Sequence, residues 1–222
     1  MRAETAIDPR HVLWSAAAEE RAGRPLIVLM HGWSDDETHL FALAGRFPRD
    51  MVAASVRAPH AEGGGYAWFP KRGSRSGYPQ PAVVEEAAQA MLDWLDTLPP
   101  APSTGLLGFS QGGAMVLQLM RRAPRRFAYG VQLAGFVAGG HQAGDEILAR
   151  SRPPVFWGRG SRDSTIPRQA IARTRAWMSA HTTPHTVVYD GLGHGISERE
   201  AADAAAFVTR QVFGHRQWTM TA

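Results

Sequence analysis

A serine with a glycine two residues away on either side, Ser110 between Gly108 and Gly112, is the first feature of the sequence that could perform chemistry. This spacing is typical of a nucleophile elbow, a sharp turn between a strand and a helix that exposes the serine hydroxyl. Glycine is favoured at the flanking positions because larger side chains there would collide with the crossing backbone. Apolar residues at 105–109 and 115–120 supply the expected strand and helix. We therefore predict that Ser110 is a nucleophile.

A serine hydroxyl needs a base to take its proton, and the base needs a third group to orient it. Asp163 follows a predicted strand at 154–157, and His194 follows a predicted strand at 186–189. Both would lie at the carboxyl ends of parallel strands, where ligands bind in open sheets of this kind. We therefore predict Ser110, Asp163 and His194 as the catalytic residues.

Other carboxylates and histidines compete for these roles. Asp190 also follows a strand, but it lies only four residues before His194, and Asp145 is a more distant candidate. His31 precedes the serine and fits a structural, hydrogen-bonding role better than that of a base. The remaining histidines precede the serine or fall in helical or strand-entry contexts.

Attack of a serine on an acyl carbon also needs hydrogen-bond donors for the negative charge that develops on the acyl oxygen. The backbone N–H of Gln111, the residue after the nucleophile, is expected to supply one donor. The turn after the strand at 26–30 is expected to supply the second through the backbone N–H of Trp33. These two amides form the predicted oxyanion hole.

Residues 57–81 form a long segment rich in glycine and proline, and such a loop in a compact domain is usually functional or mobile. Its aromatic side chains would line a substrate cleft, with the indole of Trp33 beside the acyl pocket. The predicted substrate-binding residues are Trp33, Tyr66, Trp68 and Phe69. The alternative is that the aromatic residues of the loop only pin it to the core.

The elements that must position these residues follow from the spacing of apolar side chains. An edge strand is expected at 11–15, and main strands are expected at 26–30, 51–56, 105–109, 129–133, 154–157 and 186–189. Helices are expected from Asp35 or Asp36 to Phe47, over 84–98, after Ser110, from Pro167 to Trp177, and after a capping box of Ser197 and Glu200. This alternation predicts an α/β fold with a mostly parallel central sheet and helices on both faces, in one domain spanning residues 1–222.

Composition limits the classes of partner. The formal charge of +4 rests on 24 basic residues, of which only Lys71 is a lysine. The arginines at 121–126 lie where a helix should end, so they fit the helix dipole better than a nucleic-acid surface. Cysteine is absent, which excludes disulfides and a cysteine nucleophile. With no long apolar segment, we expect a cytoplasmic protein without a nucleic-acid partner or stable membrane insertion. The sequence leaves a homodimer open.

The chain resembles the small carboxylesterase/phospholipase branch of the α/β hydrolases, which includes acyl-protein thioesterases. The motifs that carry the resemblance are His31-Gly32, Arg57-Ala58-Pro59, Ala67-Trp68-Phe69, Gly108-Phe109-Ser110-Gln111-Gly112-Gly113, the segment 158–163 and Gly193-His194. The resemblance implies an α/β-hydrolase fold, a triad of Ser110, Asp163 and His194, an oxyanion hole of the Trp33 and Gln111 amides, no metal and no organic cofactor.

Three features depart from this family pattern. Trp33 and Ser34 stand where a small apolar residue and a glycine are often found, Pro70 replaces a frequent acid, and the segment 71–79 is unusual. These departures bear on the size of the substrate and leave the reaction type unchanged.

The sequence therefore predicts a serine carboxylesterase that hydrolyses small to medium carboxylic esters through an acyl-enzyme on Ser110. Little sequence is available for a large cap domain after residue 134, so the site should be open. An acyl-thioesterase or a lysophospholipase is the alternative, because the same three residues serve all these reactions. A non-catalytic binding protein of the same fold is the rival from another class.

Overall fold

The computed structural model describes residues 5–71 and 75–214. Its strands are β1 (Val12–Trp14), β2 (Leu26–Met30), β3 (Val52–Val56), β4 (His60–Glu62), β5 (Gly65–Ala67), β6 (Thr104–Phe109), β7 (Tyr129–Leu133), β8 (Pro154–Gly160) and β9 (Thr183–Tyr189). Its α-helices are α1 (Glu37–Phe41), α2 (Pro81–Asp96), α3 (Gln111–Arg122), α4 (Ala143–Ser151), α5 (Arg168–His181) and α6 (Glu198–Phe213). The amino-terminal residues 1–4 and the tail from His215 onward lie outside the described residues.

A seven-stranded sheet in the order β1-β3-β2-β6-β7-β8-β9 forms the centre of the fold. β1 pairs with β3 in an antiparallel direction, and every other pair in this sheet is parallel. Apolar side chains of alternating strand positions form two clusters, one packed under α2, α3, α4 and α5 and the other under α1 and α6. The mostly parallel α/β architecture predicted from the sequence is confirmed.

Burial explains the composition of the strands. β2 is buried at all five positions, because both faces of a central parallel strand are covered by helices, and its sequence is correspondingly apolar throughout. β9 lies at the sheet edge and is mostly exposed. It accommodates Pro184, a residue that an edge strand tolerates because one side of its backbone needs no partner.

The described part of the segment 57–81 is more ordered than the sequence suggested. It contains a two-stranded hairpin of β4 and β5, in which Glu62 pairs with Gly65. Gly63 and Gly64 form its turn with φ values of 69° and 88°, a left-handed conformation that favours glycine. The expectation of a structureless loop over this whole range was therefore wrong, although the Gly-Gly pair that makes the hairpin is visible in the sequence.

The arginine group at the end of α3 divides into two kinds of residue. Arg122 and Arg125 are exposed, as expected for a helix end. Arg121 is instead fully buried, and its guanidinium binds both carboxylate oxygens of Asp145 at 2.7 Å each. Asp145 lies on α4, a helix that the spacing of apolar residues did not predict. The ion pair therefore fixes α4 to α3.

Candidate active site

The backbone around Ser110 forms the predicted elbow between β6 and α3. Ser110 has φ 54° and ψ −111°, a strained conformation for a residue with a side chain. A Cβ atom at Gly108 would lie 2.1 Å from the carbonyl oxygen of Gly112, and one at Gly112 would lie 1.8 Å from the carbonyl oxygen of Met30. The two glycines are therefore required for the backbone crossing that presents the serine.

Three side chains from different strands meet at this elbow. The Oγ of Ser110 lies 2.9 Å from Nε2 of His194, and Nδ1 of His194 lies 2.8 Å from a carboxylate oxygen of Asp163. His194 follows β9, while Asp163 follows β8, so the carboxyl ends of three parallel strands bring them together. The structure thus assembles all three predicted catalytic residues in hydrogen-bonding contact.

Asp163 is held as a buried carboxylate. Its side chain is only 2% exposed. One oxygen accepts hydrogen bonds from the backbone amides of Thr165 at 2.8 Å and Ile166 at 3.2 Å, and the other faces His194. Burial by itself would raise the pKa of Asp163, but the hydrogen bond and charge of His194, with the two amides, lower it below its ordinary value. An ionised Asp163 places the Nδ1 proton of His194 toward itself and leaves Nε2 free to accept the serine proton.

The competing acids lie in other environments. Asp190 is exposed and accepts a hydrogen bond from the hydroxyl of Ser161 at 3.0 Å. Asp145 is paired with Arg121 and also accepts a hydrogen bond from the indole of Trp177. Neither of the two carboxylates reaches His194, whereas Asp163 does.

The two amides predicted for the oxyanion hole lie in the wall of one cavity with Ser110. Gln111 is the first residue of α3, so its N–H belongs to the unsatisfied amides at the positive end of that helix. Trp33 follows β2 in the adjacent turn. Among residues 5–71 and 75–214, neither amide donates to a backbone carbonyl outside regular elements. Neither amide is therefore committed to such a carbonyl, and the oxyanion hole stays a prediction.

His31 has a structural role, as the sequence suggested. The residue is fully buried, its Nδ1 lies 2.7 Å from the carbonyl oxygen of Gly32, and its Nε2 accepts a hydrogen bond from the amide of Ala58 at 3.0 Å. Burial lowers the pKa of His31, so the ring is neutral. It joins the turn that contains Trp33 to the segment between β3 and β4.

The side chain of Gln111 has a role that the motif did not reveal. Its Oε1 accepts a hydrogen bond from the amide of Trp68 at 3.1 Å, and its Nε2 donates to the carbonyl oxygen of Phe69 at 2.9 Å. Gln111 is 7% exposed, so these bonds are shielded from water. The residue that supplies an oxyanion amide therefore also holds the aromatic segment against the elbow, and a polar side chain inside an apolar motif was the available signal.

The cavity in front of Ser110 has a volume of about 150 Å³. Its wall is mostly apolar, with two cations at 71 and 75. The residues that line it include Trp33, Phe69, Lys71, Arg75, Phe136 and Ile166. Trp33 and Phe69 are thus where the sequence placed them.

Trp68 and Tyr66 are not part of that wall. Trp68 is fully buried, and its indole N–H donates to the carbonyl oxygen of His31 at 2.8 Å. The hydroxyl of Tyr66 instead accepts a hydrogen bond from Arg57 at 3.2 Å. The expectation that both bind substrate was wrong, because these side chains pin the segment to the core, as the alternative interpretation held.

The indole of Trp33 forms one side of the cavity. The ammonium group of Lys71 lies 4.2 Å from the centre of its ring, a cation–π contact. A Cβ atom at Gly63 would come within 2.7 Å of the ring, so the hairpin turn packs directly against the indole. The tryptophan is thereby fixed between the hairpin and the cavity.

A buried carboxyl group, that of Glu200, lies close to the loop that carries Asp163, and the sequence did not predict its burial. Glu200, in the first turn of α6, is 0% exposed. The hydroxyl of Ser197 caps the Glu200 amide at 3.1 Å, but neither Glu200 carboxyl oxygen has a hydrogen-bond partner in the described part of the chain. The capping box was therefore only half right. Burial raises the pKa of Glu200 to about 7, with smaller contributions from Asp163 and Asp203, while the Ser197 amide opposes the rise.

Residues 5–71 and 75–214 contain neither a cluster of potential metal ligands nor a helix able to span a membrane. No three histidine or carboxylate side chains there lie together as a metal site. No helix in those ranges is both long and apolar enough to cross a membrane.

The arrangement can perform acyl transfer. It combines a hydroxyl in contact with an imidazole and a carboxylate that orients the imidazole. The two amides expected to stabilise the developing negative charge belong to residues that line the same cavity, Trp33 and Gln111.

Comparisons with known proteins agree with this geometry. Residues 15–212 match the model of a family described as phospholipase/carboxylesterase. The Escherichia coli K12 esterase YpfH is 24% identical over 86% of this chain and 84% of its own length. Acyl-protein thioesterase 1 of Eremothecium gossypii is 30% identical over a matched region that covers 46% of this chain and 44% of that protein. The chain also spans less than half the length of the plant carboxylesterases that it matches.

Solved structures show the same architecture over nearly the whole chain. The crystal structure of esterase PE8 is 25% identical, with a TM-score of 0.70 over 93% of this chain and 98% of the other. The Bacillus cereus carboxylesterase, at 15% identity, shares the fold with a TM-score of 0.76 over 90% and 93% of the two chains. The match of the family model to most of the sequence and the shared α/β-hydrolase fold together show that this chain belongs to the phospholipase/carboxylesterase family.

Proposed function

We propose that this protein is a serine carboxylesterase that hydrolyses carboxylic esters with short acyl chains. The observation that carries the proposal is the continuous hydrogen-bonded line from the Ser110 hydroxyl through His194 to the buried Asp163. Such a line activates a serine that is otherwise a weak nucleophile. Membership of the phospholipase/carboxylesterase family supports the same reaction class.

In the first half of the reaction, Oγ of Ser110 forms a bond to the acyl carbon while its proton moves to Nε2 of His194. The acyl oxygen takes up negative charge, and the amides of Trp33 and Gln111 stabilise it. The bond between the acyl carbon and the alcohol oxygen then breaks, and His194 gives its proton to the departing alcohol. Water repeats the sequence: it loses a proton to His194, attacks the acyl-enzyme and releases the acid, and Ser110 regains its proton.

The volume of the cavity supports a short acyl chain. A cavity of about 150 Å³ accommodates an apolar molecule about the size of benzene. The apolar side chains of Trp33, Phe69 and Phe136 would surround such a group. Longer chains would have to displace the Trp33 indole or extend toward Lys71 and Arg75 at the mouth.

A thioesterase is the second candidate. The similarity to an acyl-protein thioesterase over about half of the chain supports it. The catalytic groups would act in the same way, with a thiol in place of the alcohol as leaving group.

A substrate panel separates these candidates. The kcat/KM values should be measured for p-nitrophenyl esters with acyl chains of two to about twelve carbons, beside an acyl thioester and a lysophospholipid. The proposal predicts a maximum at short chains and a higher kcat/KM for the ester than for the thioester of the same acid. A maximum on the thioester would favour the second candidate, and hydrolysis of the lysophospholipid alone would reject both.

A further inference from the structure

A second cavity is lined by the loop that carries Asp163 and by the start of α5. It has a volume of about 650 Å³. Four arginines line it, and we call it the arginine cleft. They are Arg159, Arg162, Arg168 and Arg175. Ile166 lines both this cleft and the cavity at Ser110, so one short loop separates the two.

The positive charge of the cleft is not neutralised by the protein. In the described ranges, none of its four arginines forms a salt bridge, although arginines elsewhere, such as Arg46, Arg57 and Arg121, are paired with carboxylates. Among the described residues, Asp163 is the only carboxylate that lines the cleft. Its oxygens are already occupied by His194 and by the amides of the loop. The concave lining of the arginine cleft therefore carries more positive than negative charge.

Arg159 shows the electrostatic cost of this arrangement most clearly. It is half-buried, its Nη1 donates to the carbonyl oxygen of Gly160 at 3.2 Å, and its Nε is buried with no hydrogen-bond partner in the described residues. Burial and the neighbouring charge of Arg175 lower the pKa of Arg159, against a smaller opposing effect of Asp163. An anion in the cleft would offset the repulsion between the guanidinium groups of Arg159 and Arg175.

Helix α5 adds to the same side of the cleft. Its first residue is Arg168, and no side chain caps its amino terminus at Pro167. Two further residues of this helix line the cleft: Ile171, three residues after Arg168, and Arg175, seven residues after it. The positive end of the helix dipole thus lies beside the unpaired guanidinium groups.

We propose that the arginine cleft is a binding site for the phosphoryl group of a small anion. Guanidinium groups bind phosphate oxygens in pairs, and several of them in one concavity fit an anion with more than one negative charge better than a single carboxylate. The group belongs either to a free inorganic phosphate or diphosphate or to a nucleotide. The site is distinct from the cavity at Ser110, and either source would contact the loop that carries Asp163.

Calorimetric titration with inorganic pyrophosphate at low salt tests this site. The wild-type protein should bind one equivalent. Arg168→Gln/Arg175→Gln should weaken binding by about tenfold or more, because two charge-assisted contacts are lost. The matched control is Arg125→Gln/Arg150→Gln, which removes the same charge from exposed arginines outside the cleft and should change the Kd by less than about threefold. All four positions are exposed, so both double variants should fold.

Adenosine 3′,5′-bisphosphate, titrated in parallel, distinguishes the two sources. A nucleotide ligand is indicated if this nucleotide binds more tightly than pyrophosphate and its binding is lost in Arg159→Gln. A free phosphate compound is indicated if pyrophosphate binds more tightly. Either order supports the site. The absence of saturable binding by both probes, or equal weakening in the control and cleft variants, would overturn the proposal.

Discussion

At the scale of single residues, two aspartates that both follow strands have different partners in the structure. Asp163 is buried against His194, whereas Asp190 is exposed and bonded to Ser161. Sequence position alone made both plausible, since each follows a predicted strand. The sequence favoured Asp163 because Asp190 lies only four residues before His194. In the structure, the amide of Arg162 donates to the carbonyl oxygen of Leu192, a long-range contact that no local pattern specifies.

Asp163→Asn should therefore lower kcat by roughly 10³-fold to 10⁴-fold, because an amide fails to hold the imidazole in the tautomer that accepts the serine proton. Steady-state hydrolysis of p-nitrophenyl acetate measures this. Asp190→Asn is the matched control and should remain within a few-fold of wild type. A larger loss in Asp190→Asn would transfer the orienting role to that residue.

Trp33 offers a test of the acyl pocket at the same scale. Trp33→Leu keeps the backbone N–H but removes the indole from the cavity wall. The variant should gain kcat/KM for medium-chain esters relative to acetyl esters, corresponding to about 1–3 kcal/mol, since changes of volume in an apolar pocket have effects of this size. An unchanged chain-length profile would place the indole outside the acyl pocket.

The amide of Trp33 is tested separately. Trp33→Pro removes the N–H and should lower kcat by ~10²-fold or more, the cost of losing one oxyanion donor. Circular dichroism would verify that the variant is folded. A folded and fully active Trp33→Pro protein would show that the second donor lies elsewhere.

At the scale of elements, a buried ion pair and a buried carboxyl group distinguish this fold from a purely apolar packing of helices. Arg121 on α3 is paired with Asp145 on α4, and Glu200 on α6 is unpaired. Periodicity could predict α3 and α6 because their buried faces are apolar. It missed α4, which buries the polar Asp145 and is fixed by one ion pair and a capping box with Gln142.

Removing one partner of the Arg121 pair should destabilise the protein strongly. Arg121→Met leaves the Asp145 carboxylate buried without its cation, and we expect a loss of about 3–5 kcal/mol in the free energy of unfolding. Urea denaturation measures this value. Arg121→Met/Asp145→Leu removes both charges and should recover most of the loss. A double variant no more stable than the single variant would contradict this role of the pair.

Glu200 should make stability depend on pH. Its pKa of about 7 in the folded protein lies above its ordinary 4.5, so between these values the folded state binds a proton that the unfolded chain has released. Stability should therefore fall as pH rises from about 4.5 to about 7, and the loss should persist above pH 7. Glu200→Gln should be more stable than wild type at pH 8 by about 3 kcal/mol and nearly equal to it below pH 4.5.

Urea denaturation at pH 4 and pH 8 gives the comparison for Glu200. The control is Glu19→Gln, which changes an exposed carboxylate far along the chain and should show no such pH-dependent gain. Equal stability of Glu200→Gln and wild type at pH 8 would show that the buried carboxyl group finds a partner.

At the scale of the whole molecule, the carboxyl ends of β2, β6, β8 and β9 together build the site. The existence of these strands, the elbow and the two glycines around Ser110 follow from local sequence signals, because apolar runs and steric constraints are local. The burial of Trp68, the Gln111 bridge to Phe69 and the arginine cleft depend on contacts between distant segments. These could not be predicted from spacing along the chain.

The proposed reaction requires a covalent acyl-enzyme on Ser110. A fluorophosphonate tests this requirement because it reacts covalently with an activated serine. The protein should be incubated with this serine-directed reagent and digested, and the modified residue located by mass spectrometry. Stoichiometric labelling of Ser110, absent in Ser110→Ala and slowed in Asp163→Asn, is the predicted result. A folded wild-type protein that is not labelled, or that is labelled at another serine, would contradict the account.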